Sequence, residues 1–133
     1  MFIEKIESTF LFMNIEAYRN FCLSFPGVTE DLPFDDNTLC FKVMGKIFSL
    51  CNIENFESVN LKCDPVKAIE LREMYPEVIP GYHMNKKHWN TVNMHGNLPD
   101  DLIKEWITDS YNLVVMGLTK KDRNKLKLNT DSR

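Results

Sequence analysis

The sequence predicts an α+β domain built on an antiparallel sheet. Its 133 residues fit one domain, and its apolar content of 44% is close to the globular average. Two alternating segments surround Met44-Gly45, which is typical of a β-hairpin. Segments with apolar residues at helical spacing precede and follow the predicted strands. Runs of strands flanked by helices favour α+β over an alternating parallel fold.

The first helix is predicted to begin after Asn14, a good N-cap residue. One apolar stripe follows at helical spacing, formed by Ile15, Tyr18, Phe21, Cys22 and Phe25. Phe25-Pro26-Gly27 ends this helix, because proline disfavours helical backbone at the residue before it. Residues 1–12 are interpreted as an N-terminal extension, which a misplaced start codon would explain. The alternative is a short strand or helix that packs its Phe residues on the domain.

Glu30 to Asp36 is predicted to form a solvated acidic loop, since its spacing does not match an EF-hand. Thr38 to Val43 and Lys46 to Cys51 are the predicted hairpin strands. A two-residue turn would pair Phe41 with Phe48 and Leu39 with Leu50 on one apolar face. Because Met44 disfavours positive φ, a slightly longer turn is the alternative. With the two-residue turn, the opposite face of the hairpin would mix polar and apolar residues: Thr38, Cys40, Lys42, Ile47, Ser49 and Cys51.

A third strand is predicted from Ser58 to Cys63. Asp64-Pro65 is a strong helix start, and that helix must end near Tyr75-Pro76. Val78 to Gly81 is predicted as a turn, and Trp89 to Met94 has strand character.

The longest helix is predicted to open after Leu98-Pro99, where apolar residues recur at helical spacing. Gly117 is its expected C′ residue. Thr119, with Asp122 three residues later, is predicted to cap a short last helix. The domain is expected to span residues 13–128, followed by a polar tail over 129–133.

Composition excludes several classes of protein. No apolar run approaches the roughly 18 residues of a membrane span, and the N-terminus does not resemble a signal peptide. We therefore expect a cytoplasmic protein with no membrane partner. The four cysteines form no C-x-x-C pair, so they are predicted to be free thiols in the core.

Charge is unevenly distributed along the chain. The net charge of −3 divides into −7 over residues 1–118 and +4 over residues 119–133. Residues 78–99 contain no Asp or Glu and hold all three histidines. Because phosphate affinity depends on local clusters of charge, the net acidity does not exclude a nucleic-acid partner.

The most informative segment extends from Gly81 to Val92 and mixes amide, imidazole, ammonium and aromatic groups. Such a mixture can bind phosphates, stack on a base or hold an anionic small molecule. Each residue also has a structural interpretation: Trp89 in the core, Asn85 capping a turn, and Lys86-Lys87 as solvated surface. The histidine spacing does not match a helical zinc pair, and no nucleophile motif is present. We therefore expect no metal, no cofactor and no catalytic residues, with a Cys–His enzyme as the least favoured hypothesis.

The run from His83 to Val92, HMNKKHWNTV, resembles the signature of the MmcQ/YjbR family. Further matches are Phe25 to Glu30, Phe41 to Phe48, Leu61 to Pro65, Leu98 to Asp100, and Ser110-Tyr111. The resemblance covers about Met13 to Arg123. It implies a CyaY-like fold with helices packed on one face of an antiparallel sheet, and a DNA-binding function.

The first functional hypothesis is accordingly a small monomeric DNA-binding protein. Its predicted contact residues are His83, Asn85, Lys86, Lys87, His88, Trp89, Lys120, Lys121 and Arg123. The alternative is a non-catalytic module that binds an anionic small molecule or a protein partner through the same surface. A phosphate-binding surface is expected if Lys86, Lys87 and the basic C-terminal helix share one exposed face. If they point apart, or if the segment from His83 to Trp89 is buried, the motif is chiefly structural.

Overall fold

A computed structural model describes residues 13–82 and 84–131, together with the side chains up to residue 128. The predicted 1–12 extension, His83 and part of the predicted polar tail lie outside this description. Four helices are present in the described ranges: α1 (Ile15–Leu23), α2 (Pro65–Met74), α3 (Asp100–Met116) and α4 (Lys120–Asp131). The α+β prediction is confirmed.

Six strands form one antiparallel sheet. They are β1 (Val28–Asp31), β2 (Thr38–Val43), β3 (Lys46–Asn52), β4 (Ser58–Lys62), β5 (Val78–Pro80) and β6 (Trp89–Asn93). Their order across the sheet is β1-β2-β3-β4-β6-β5. Alternate residues such as Val59, Leu61 and Val92 pack with Trp106 and Ile107 of α3 in the core. The described helices thus cover one face, and we call the other the open face.

The helix starts follow the local capping signals. The Asn14 side chain accepts the Ala17 N–H at 2.8 Å, and Asp64 accepts two amides at the start of α2. Thr119 accepts the Asp122 N–H at 3.1 Å, although α4 runs for 12 residues rather than forming a short helix. Gly117 directly follows the last residue of α3, where a helix end was predicted, and its backbone is right-handed (φ −84°).

Two strands depart from the sequence prediction. Val28–Asp31 forms the edge strand β1, so Glu30 and Asp31 belong to a strand rather than to the acidic loop. Glu30 is held there by Arg19 of α1, whose Nε donates to Oε1 at 2.7 Å. Val78–Pro80 forms β5, where a turn was predicted, because its backbone pairs with β6 at the other edge of the sheet.

The hairpin register also differs from the prediction. Met44 and Gly45 form a two-residue turn with positive φ at both positions, although Met44 disfavours it. A β-bulge then inserts Phe48 as an extra residue, so that Phe41 pairs with Ser49 and not with Phe48. Consequently Phe48 packs against Tyr111 in the core, whereas Leu50 pairs with Cys40 on the open face. Ser49 and Cys51 move to the helix-covered face.

The cysteines are free, as predicted. Cys22, Cys40 and Cys51 are buried, and Cys63 is half-buried. No helix in the described part of the chain is both long and apolar enough to cross a bilayer.

Candidate nucleic-acid interface

The interface loop, residues 81–88, joins β5 to β6 and contains most of the predicted contact residues. The Gly81 N–H donates to the Trp89 carbonyl at 2.8 Å, which closes the loop at its base. A Cβ on Gly81 would lie 2.8 Å from the Trp89 Cβ, so glycine is needed for this close approach. The Tyr82 N–H then donates to Thr91 Oγ1 at 2.9 Å, which ties the loop to the open face.

Arg72 of α2 fixes the loop from the other side. Its Nε donates to Asn90 Oδ1 at 2.7 Å, and its Nη2 donates to the carbonyls of Lys86 and Trp89. Asn90 is buried and donates in turn to the Ala68 carbonyl of α2. One guanidinium therefore joins the helix, the strand and the loop, a role that a lysine could not fill.

Three of the predicted contact residues take part in contacts within the domain. The Asn85 side chain accepts the Lys87 N–H at 3.0 Å, so it caps a turn. His88 is half-buried, and its carbonyl accepts the Cys63 N–H. Trp89 is half-buried in β6, where it pairs with Lys62 of β4.

Lys86 and Lys87 lie at the exposed tip of the loop. Neither forms an ion pair with any residue that the structure describes. Their ammonium groups therefore project from a turn whose backbone is held by Asn85 and Arg72. A fixed backbone reduces the entropy lost when such side chains bind an anion.

The other basic segment is α4. Leu126 is its buried anchor, and a Cβ added at Gly27 would collide with Leu126, which shows how closely the helix packs before β1. Lys120, Lys121 and Arg123 are exposed. The helix thus presents these cations to solvent and packs on the domain at Leu126.

The strand registers place the interface loop at the same end of the sheet as the turn at Gly27, against which Leu126 of α4 packs. Val28 pairs with Val43, Val43 with Lys46, and Lys62 with Trp89. The turns at this end are residues 24–27, 44–45, 63–64 and 81–88, and we call it the basic end. Its loops and adjoining strand termini carry Lys46, Lys62, Lys86 and Lys87, against one acidic residue, Asp64.

The opposite end of the sheet is acidic. It is formed by residues 32–37, 53–57, 75–77 and 94–101. These segments contain no Lys or Arg, and their acidic residues are Asp35, Asp36, Glu54, Glu57, Glu77, Asp100 and Asp101. The molecule is therefore polarised along the strand direction, which the one-dimensional charge pattern did not show.

The two basic segments sit at opposite edges of the basic end. The distance between them is about 19 Å, which is four strand spacings from β1 to β6. Strand β1 lies beside α4, and β6 lies beside the interface loop. Lys46 and Lys62, on the strands between them, were not among the predicted contact residues. In the sequence, only the position of Lys46 and Lys62 next to predicted turns pointed to a role at the end of the sheet. The order of the strands was needed to group them with Lys86 and Lys87.

The metal-binding and thiol groups of the described residues were compared with the sequence expectations. Within the described ranges, no group of three or more His, Cys, Asp or Glu side chains could hold a metal ion. Burial raises the pKa of the Cys22 and Cys51 thiols from about 9 to about 12, so both stay protonated near neutral pH.

Comparison with known proteins identifies the family. The YjbR family model matches residues 23–113, most of the described domain. This chain belongs to the YjbR family. It is 39% identical over 113 residues to Escherichia coli O157:H7 YbdF, covering 84% of this chain and 93% of that protein. It is 33% identical over 115 residues to YjbR of E. coli K12, covering 86% and 98%. Both of these YjbR-family relatives are described as uncharacterized.

Solved structures of similar chains share the fold. The crystal structure of Deinococcus radiodurans protein DR2400 superposes with a TM-score of 0.80 at 39% identity, covering 87% of this chain and 89% of that one. A crystal structure of a Pseudomonas syringae protein gives a TM-score of 0.65 at 27% identity, covering 76% and 98%. The YjbR-family domain architecture described above is therefore found in experimentally determined structures.

Proposed function

We propose that this YjbR-family protein binds DNA, without catalysis of its own, by placing phosphates against the basic end of its sheet. The observation that carries the proposal is the polarity of the sheet, with Lys46, Lys62, Lys86 and Lys87 at one end and seven carboxylates without Lys or Arg at the other. A polyanion approaching this molecule is attracted to one end and repelled from the other.

The distance between the basic segments suits an extended ligand. The span of about 19 Å from β1 to β6 corresponds to about six base pairs, given a rise of about 3.4 Å per pair. One small anion could contact the interface loop or α4 but could not bridge them. Lys86 and Lys87 would contact phosphates at one edge, and Lys120, Lys121 and Arg123 at the other.

Contacts with phosphates position a protein on the DNA backbone and carry no sequence preference of their own. Asn85 supports the interface by capping its turn, and His88 and Trp89 form the base of the loop. We therefore expect weak discrimination between DNA sequences. A small monomer would be sufficient, because both basic segments belong to one chain.

The proposal is tested by titrating labelled duplex DNA with the protein at about 50 and 200 mM salt. Counterion release predicts a steep loss of affinity, with a log–log slope that grows by about 0.9 for each phosphate contacted. Lys86→Ala/Lys87→Ala should lower that slope by up to about two. A matched control, Lys67→Ala/Lys104→Ala, removes the same charge from helices α2 and α3 and should change the slope less.

Absence of binding at low salt would contradict the proposal. So would equal losses in the two double variants, because that result would indicate attraction by net charge and not by the basic end. An unchanged affinity in Lys86→Ala/Lys87→Ala would exclude the interface loop from contact.

A further inference from the structure

The open face of the sheet carries a groove that the DNA-binding proposal does not use. Its volume is about 510 Å³, within the range of small-molecule sites. The floor crosses four adjacent strands at Thr38, Leu50, Asn60 and Thr91. The β1–β2 loop forms one wall with Phe34, and the interface loop forms the other with Tyr82 and Met84.

The floor offers hydrogen bonds from fixed side chains. Thr91 Oγ1 accepts the Tyr82 N–H and donates to Asn60 Oδ1 at 2.6 Å, which orients the Asn60 amide. The Asn60 Nδ2 group has no acceptor among the described residues, although it can donate two hydrogen bonds. Ser58, two residues earlier on β4, adds a hydroxyl to the same floor.

The walls provide aromatic surface. Phe34 and Tyr82 are each 67% exposed, which is unusual for large rings on opposite walls of one groove. Aromatic faces of this kind bind flat rings by stacking. Leu50 and Met84 add apolar surface below them.

Charge in the groove disfavours an anion. Asp35 is the one charged residue among those lining it in the described structure. Hydrogen bonds from the Asn37 amide and from Thr38 hold the pKa of Asp35 below its usual range, so it is a carboxylate at neutral pH. Its oxygens keep lone pairs that can accept further hydrogen bonds.

We infer that this groove binds a small heteroaromatic amine, neutral or protonated, whose ring stacks against Phe34 or Tyr82. The amine faces the Asp35 carboxylate, and acceptor atoms on the ring meet the Asn60 amide. This site adjoins the basic end through Tyr82 and Met84 of the interface loop, but its described lining carries a carboxylate and no cation.

The test is calorimetric titration with two matched pairs of probes. Adenosine and histamine meet the proposed chemistry, because each has an amine and a ring nitrogen that accepts a hydrogen bond. Adenosine 5′-monophosphate and imidazole-4-acetate keep the same rings and carry a negative charge. We expect at least one of the first two to bind with a dissociation constant below about 1 mM. Its anionic counterpart should bind at least tenfold more weakly. Failure of both amines to bind, or equal binding of an anionic counterpart, would overturn the inference.

Variants assign the binding to the groove. Phe34→Ala/Tyr82→Ala should weaken it about tenfold or more, because two exposed rings are removed from the walls. Met116→Ala removes an equally exposed side chain on α3 and should leave binding unchanged. Lys86→Ala/Lys87→Ala should also leave it unchanged, which separates this site from the DNA interface. Unaltered binding in Phe34→Ala/Tyr82→Ala would contradict the assignment.

Discussion

At the scale of single residues, Arg72 determines the shape of the interface loop. Its guanidinium bonds two backbone carbonyls and the buried Asn90 side chain, and it forms no ion pair with a described carboxylate. The cation is thus used for its planar set of donors and not for its charge. Lys86 and Lys87, by contrast, are exposed and form no ion pair with a described residue.

Replacing Arg72 should therefore destabilise the protein. Arg72→Met keeps much of the side-chain volume but leaves Asn90 Oδ1 without its donor, and an unsatisfied buried acceptor costs about 1–3 kcal/mol. Urea unfolding measures this loss, and Glu73→Gln, an exposed neighbour on α2, is the control. A change below about 0.5 kcal/mol in Arg72→Met would show that Arg72 does not hold the loop.

At the scale of elements, α1 is joined to the sheet through a buried group of polar and sulfur atoms. Tyr18 Oη and Ser49 Oγ lie 2.5 Å apart, and Tyr18 packs edge-on against Phe41. Burial raises the pKa of Cys22 and of Cys51 to about 12. Burial also raises the pKa of Tyr18 well above 10. The pKa values of these three groups are raised only while α1 stays packed on the sheet, because the packing keeps them buried.

This arrangement predicts a loss of stability in alkali. Because the folded-state pKa of each thiol is raised above its unfolded value near 9, the native state is favoured below pH 9 and loses that advantage between about pH 9 and 12. Urea unfolding under reducing conditions at pH 8 to 11 measures the decline. Cys22→Ala/Cys51→Ala should show a shallower decline than the natural chain, and an equal one would contradict this explanation.

Helix ends were predictable from sequence because their signals are local. Asn14 and Asp64 form their expected caps within three residues of themselves. Strand β1 was not predictable, since Val28–Asp31 lacks a clear alternation and is held by pairing with β2 and by the Arg19–Glu30 ion pair. The bulge at Phe48 likewise depends on packing against α3 and not on a local pattern.

At the scale of the whole molecule, strand order determines which charges act together. Lys46, Lys62 and Lys86 are distant in sequence, and only the antiparallel registers place them at one end of the sheet. The same order places Phe34 and Tyr82 on opposite walls of one groove. Sequence alone therefore indicated the basic segments but neither their common end nor the groove.

Amide chemical-shift mapping with a short DNA duplex reveals whether DNA contacts the basic end. We predict that the largest shifts fall on residues 44–46, 84–88 and the start of α4, and that they diminish as salt is raised. Residues 32–37 and 53–57, at the acidic end, should be unaffected. Shifts centred on the acidic end, or none at low salt, would contradict the account.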